Sequence, residues 1–226
     1  MFVTNVLTLS LLDEILSYLI MENGLDNLLV PSLRKSIEEN LGKETLNKIE
    51  ERLMERHGLG LVQAIKNFQK FDSVLREFFG AGADGLEQKF LQKIVKVEKS
   101  KQTVSNWIHM KDPDLSRVFL ESFADQDKKA ILGSVMDTPL IIAQILETCS
   151  IPQTSGYRKI NYLINNGLLV ANGFELAHDG KKVKKYETIF DNVKVDIVKN
   201  DIAVKVQLKN TLLSESSILQ TVQIRS

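Results

Sequence analysis

The stretch from Asp137 to Lys185 restricts this chain most, because it reads as two short helices joined by a tight turn and followed by a basic hairpin. Asp137-Thr138-Pro139 is a helix start with proline at the first position, and Ile141, Ile142, Ile145 and Leu146 give that helix an apolar stripe as far as Thr148-Cys149. Ser150 and Gln153 match a capping box, and Pro152 falls in the first turn, where its missing N–H has no partner to lose. A second helix is therefore expected from about Ser150 to Asn166. On a helical wheel Gly156, Tyr157, Ile160, Leu163 and Ile164 gather on one side, and Ser155, Arg158, Tyr162 and Asn165 point the other way. Asn165-Asn166-Gly167 closes the helix, with Gly167 able to take the left-handed conformation. So short a connection between the two helices is what a helix-turn-helix requires, because the pair must share one small core.

Leu168-Leu169-Val170 follows as a strand, and Asp179-Gly180 inside 174–186 is a two-residue hairpin signal. Lys181, Lys182, Lys184 and Lys185 then crowd the return strand. Net charge is zero over 226 residues, yet six basic side chains face two acidic ones between Arg158 and Tyr186. This pattern points to double-stranded DNA. The helix 150–166 would enter the major groove through Gln153, Thr154, Ser155, Arg158, Lys159 and Tyr162, while Lys181, Lys182, Lys184 and Lys185 would sit on phosphates.

Residues 125–190 resemble the ArsR-like winged helix-turn-helix transcription regulators of archaea, through Ile151, Pro152, Ser155, Tyr157, Arg158, Gly167, Leu168 and Leu169. The resemblance implies a recognition helix in the major groove and a wing on the flanking backbone. One such helix reads only a short half-site, so a homodimer on a palindromic operator is expected.

The N-terminal part reads as a helical bundle. Leu9, Leu12, Ile15, Leu16 and Leu19 recur at helical spacing over 5–22, with Asn23-Gly24 as a stop. Further helices are expected over 32–40 after Pro31, over 43–56 up to His57-Gly58, from about Val62 with Ile65, Phe68, Phe71 and Val74 inward and Leu75, Phe78 and Phe79 leading to Gly80, and from Ala83 through Ile94. Phe79, Gly80, Gly82, Ala83, Leu86 and Glu87 are similar to the signature of the Nitrosopumilus output domain, a small helical module of archaeal regulatory proteins. That resemblance implies a place in signalling or regulation and nothing sharper. A protein or small-molecule effector at this domain is a separate expectation.

The expected layout is a helical output or sensor-like domain over 1–95, a linker over 96–124 docking through Trp107 or Phe119, a winged helix-turn-helix with an additional β-hairpin over 125–209, and a tail over 210–226. The fold class is mainly α with a small β part. Asp125 should cap the first helix of the DNA-binding unit, and Val193, Val195, Ile197 alternate toward Lys199-Asn200-Asp201 and back through Ile202, Val204, Val206, Leu208 as the extra hairpin.

With 43% hydrophobic and 26% charged residues this is an ordinary globular composition. Met1 to Ile20 lacks a basic start and is interrupted by Asp13 and Glu14, so no signal peptide is read there, and no apolar run reaches membrane-span length. The single Cys149 fits a reducing cytoplasm and reads as a small buried hydrophobe at the turn. His57, His109 and His178 fall in separate regions without ligand spacing, and no nucleophile, base and orienting acid lie together, so neither a metal, a cofactor nor an enzyme is expected. The rival reading is a protein-interaction adaptor whose winged helix has lost DNA binding; a helical ligand sensor is compatible with either.

Overall fold

The computed structural model describes residues 24–97, 107–177, 180–209 and 216–223, with only the backbone for 221–223. The helix expected over 5–22, the hairpin residues His178 and Asp179, and most of the tail lie outside the described residues. The chain is mainly helical with a small antiparallel sheet part.

Its centre is α1 (Gly24–Leu41), which buries Leu25, Leu28, Leu29, Val30, Leu33 and Ile37. A helix apolar on so many sides has to be wrapped by neighbours, and α1 touches α2 (Lys43–His57), α3 (Leu61–Lys66), α5 (Ala83–Ile94) and α6 (Pro113–Ala124). Two expectations change here: the helix expected from residue 32 already includes Gly24, and Pro31 sits inside it on the exposed side. An internal proline costs about 3 kcal/mol, which the burial on both sides of it outweighs. The helix read as continuous after Val62 is broken at Asn67 (φ −111°, ψ 71°) into α3 and α4 (Phe68–Phe79). Helix α2 ends as expected on left-handed Gly58.

The stretch expected to be a linker carries structure where it is described, over 96–97 and 107–124. Helix α5 runs directly into β1 (Val95–Val97), then come β2 (Trp107–Met110) and α6. Strands β1 and β2 join the C-terminal hairpin β6 (Phe190–Val198) and β7 (Asp201–Leu208) in an antiparallel sheet of order β1-β2-β7-β6. Trp107 therefore lies opposite Gln207 in a strand pair, while Phe119 is fully buried with its ring 5.7 Å from Phe190. Sequence periodicity missed β1 and β2 because three or four residues are too few to display alternation.

After α6, Asp125 caps α7 (Gln126–Ser134), accepting from the Asp127 and Lys128 amides as anticipated. Then follow β3 (Leu140–Ile141), α8 (Ile142–Thr148), α9 (Gln153–Asn165), β4 (Leu169–Leu176) and β5 (Lys182–Thr188), with sheet order β3-β5-β4. Pro139 does not start α8. The residues after it pair with β5, and the helix opens at Ile142 with the Gln144 side chain accepting from the Ile141 amide at 3.2 Å.

One hydrophobic cluster runs from α1 through the sheets to α9. The tightest seam joins the N- and C-terminal parts backbone to backbone: a Cβ on Gly167 would lie 2.4 Å from the Gly24 carbonyl oxygen and 2.7 Å from the Leu28 nitrogen. A C-terminal helix, α10 (Ser217–Gln223), returns to α3, α4 and α5. It is pinned by Asp26, which accepts from the Ser216 hydroxyl and from the Ser217 amide and hydroxyl. Burial pushes the Asp26 carboxyl up, and these hydrogen bonds pull it part of the way back.

Candidate nucleic-acid interface

The two helices that form the candidate surface are joined by a turn whose chemistry differs from the capping-box expectation. Ser150 adopts φ 53°, its amide donates to the Glu147 carbonyl at 3.0 Å, and the Ile151 amide donates to Leu146 at 3.0 Å. These are the two closing bonds of a left-handed helix end, and Ile151 and Leu146, which they join, are both buried. Ser150 thus ends α8 instead of opening α9, which starts at Gln153 after Pro152 without a side-chain cap. Gly167 (φ 71°) repeats the arrangement at the end of α9, as its sequence position implied, with the Gly167 and Leu168 amides bonding to Ile164 and Leu163.

Helix α9 is held against α8 by Gly156, where a Cβ would lie 2.2 Å from Leu146 Cδ2. Gly156, Ile160 and Leu163 are its buried side. Tyr157, expected in the core, is 46% exposed. The helix is rotated relative to the wheel reading because glycine, the smallest residue of the apolar group, makes the close crossing and turns its neighbour outward.

That rotation splits the expected contact residues between two flanks. Lys159, Tyr162 and Ser155 are engaged inside the fold. The Lys159 ammonium pairs with both Asp125 oxygens at 2.7 and 2.8 Å and with Asp127 at 3.0 Å. The Asp125 hydrogen bond raises the Lys159 pKa, and in return Lys159 holds the Asp125 carboxyl below its usual value. Tyr162 donates to Glu121 at 3.1 Å and carries Lys128 3.7 Å above its ring; burial, then Glu121, raises its hydroxyl pKa. Ser155 donates to the Pro152 carbonyl at 3.1 Å.

The other flank is open. Gln153, Thr154, Tyr157, Arg158, Asn161 and Asn165 are all exposed and share one side of α9. None of the six side chains makes a hydrogen bond or ion pair among the described residues. Tyr157 and Asn161 were missed in sequence; the signal available was that 153, 154, 157, 158, 161 and 165 follow helical spacing.

The hairpin also divides its lysines. Register pairs Lys182 with Leu176 and Lys184 with Phe174, so both lysines stand on one face beside two exposed apolar side chains. Lys185, opposite Ile141, points to the other face and is half-buried. That face is turned toward α8, since Gln144 reaches the Glu175 carboxylate at 3.2 Å. Lys181 is exposed at the turn, which Gly180 (φ 79°) closes with its amide on the Ala177 carbonyl. The single basic surface read from the sequence is therefore two surfaces, because a strand sends successive side chains to opposite sides.

Elsewhere, Asp72, Asp84 and Glu87 bring carboxylate oxygens within 4.8 Å of one another. The Arg76 guanidinium bonds to Asp72 at 2.8 Å and also to Asp84, so an arginine supplies the positive charge there. Cys149 is half-buried at the α8 end, packed against the core. A cleft of about 430 Å³ opens between α1, α6 and α9, lined by Asn27, Pro31, Arg117, Glu121, Tyr162 and Asn166 among others. No helix of the described residues is long and apolar enough to cross a membrane. No family model matches this chain, and neither a curated protein nor a solved structure matches it.

Proposed function

We propose that this chain is a DNA-binding transcription regulator of the winged helix-turn-helix kind, with α9 as recognition helix and the β4–β5 hairpin as wing. The observation that carries the reading is the open side of α9. It offers two asparagines, a glutamine, a threonine, a tyrosine and Arg158, with no acid among them and no side-chain partner among the described residues. Arginine, asparagine and glutamine are the side chains that read guanine and adenine edges in the major groove, and a surface free of carboxylates does not repel phosphate. Lys182 and Lys184 support the same reading as backbone contacts. Selection of bound sequences from a random duplex pool tests it: enrichment of a motif whose binding weakens on Arg158→Ala supports the proposal, and a pool without enrichment overturns it.

The N-terminal helices serve in this proposal as the signal- or partner-receiving module. The cleft beside Tyr162 and Asn166 gives an effector access to α9, and the Gly24–Gly167 seam would transmit a shift of α1 to the end of that helix. A second reading, a protein-interaction adaptor, is favoured by one feature: Phe174 (41% exposed) and Leu176 (71%) accompany the wing lysines, a mixed basic and apolar face that suits a protein partner. Salt separates the two. Phosphate contacts lose affinity steeply with ionic strength, whereas a partner held by Phe174 and Leu176 keeps most of its affinity.

A further inference from the structure

We infer that a second copy of this chain pairs along the free edge of β6, joining two four-stranded sheets into one. In the order β1-β2-β7-β6 that strand is terminal, and nothing among the described residues bonds to its outer side. It is nine residues long, and its end of the sheet exposes Val195 (42%), Ile197 (68%), Val198 (65%) and, on β7, Ile202 (50%). A long apolar edge of this kind is an invitation to strand pairing unless the protein blocks it.

The charges on β6 choose the partner. Around a two-fold axis through Val195, residues equally far before and after it in sequence face each other across the antiparallel pair. Lys194 then meets Asp196 of the second copy, twice over. Further out, Asp191 at the bulge and Lys199 at the turn are also of opposite sign. Lys194 and Asp196 also lie 3.7 Å apart within one chain. Moving the axis to Lys194 or Asp196 would set like charges face to face, and moving it to Val193 or Ile197 leaves the inner charges with that intrachain contact alone. The apolar side agrees. Val195 meets its own copy, and Ile197 lies opposite Val193, extending the row already formed with Val204 and Val206, which are buried.

The dimer rests on the DNA-binding reading for its purpose alone, since the pairing itself involves no DNA. Sedimentation of the full chain without DNA, from about 1 to 100 μM, should show a reversible monomer–dimer equilibrium. Lys194→Asp and Asp196→Lys each create two like-charge contacts and should weaken self-association roughly tenfold. Mixing the two variants should restore dimers, because every inner contact is again of opposite sign, and so should the double variant with both changes. Wild-type chain that stays monomeric over this range overturns the proposal and leaves the edge to another segment of the same chain. A dimer that neither single change weakens also overturns it. Duplex binding measured in parallel reports on the DNA reading separately.

Discussion

Arg158 and Lys159 are neighbours on one helix and both cationic, yet the fold uses them in opposite ways. Lys159 is locked between Asp125 and Asp127, and beside it Tyr162 is held by Glu121 and Lys128. Arg158, one position away, stands in the open with Tyr157 and Asn161. A hundred degrees of helical rotation separates a residue that builds the scaffold from one available for recognition. Charge in a sequence window therefore says little about availability; the neighbouring helices decide it, here through the two acids at the start of α7.

The sharpest way to break this contrast is at the end of the same helix. Gly167→Ala should cost about 3 kcal/mol or more in urea unfolding, because it combines a left-handed backbone with atoms of α1 on which a methyl cannot yield. A loss below about 1 kcal/mol would mean that α1 and α9 do not meet so closely. On the open flank, Arg158→Ala should weaken duplex binding by about 1–3 kcal/mol while leaving stability within about 0.5 kcal/mol. On the tied flank the outcome reverses: Asp125→Ala removes a helix cap and the Lys159 partner, and should cost about 1–2 kcal/mol of stability with duplex affinity unchanged. If Asp125→Ala instead altered affinity and left stability alone, the division between flanks would fail.

pH sharpens the same comparison. Lys159 holds the Asp125 carboxyl below its usual 3.8, so the folded state gains from this ionisation above that pH and loses the gain as pH falls through the lower folded value. Asp125 raises Lys159 above its usual 10.5, so that contribution is complete below 10.5 and is lost as pH rises through the higher folded value. The stability gap between wild type and Asp125→Ala should hence stay constant from about pH 5 to 9 and narrow below about pH 4 in unfolding measurements. The smallest effect is expected at the turn, where Ser150→Gly relieves a left-handed serine and should stabilise by up to about 1 kcal/mol.

Much of the scaffold could be read locally. The alternation of Val204, Val206 and Leu208, the Asp125 cap, the Gly58 and Gly167 helix ends and the stripes of α2, α4 and α5 are all set by residues within one or two turns of each other. Local reading failed where an element's partner is remote. Strand β2 exists because β7, about a hundred residues on, offers it an edge, and β1 adds to β2 in turn; α1 runs through Pro31 because helices on several sides bury its neighbours. At the candidate interface the helix and hairpin were legible, whereas the faces were not. Tyr157 was assigned inward and is exposed, while Tyr162, assigned outward, is half-buried and bonded to Glu121.

What the sequence determined by itself is the order of elements around the two-helix turn, the glycine that ends α9, and a local surplus of positive charge. Hydrogen bonds within a turn and side-chain periodicity are short-range, so a short window suffices to specify them. Tertiary structure alone decided which cations remain available, how α9 is rotated, and that the N-terminal helices and α9 share one seam. Those outcomes depend on which surfaces dock, and docking brings together residues such as Gly24 and Gly167 that no window of sequence contains.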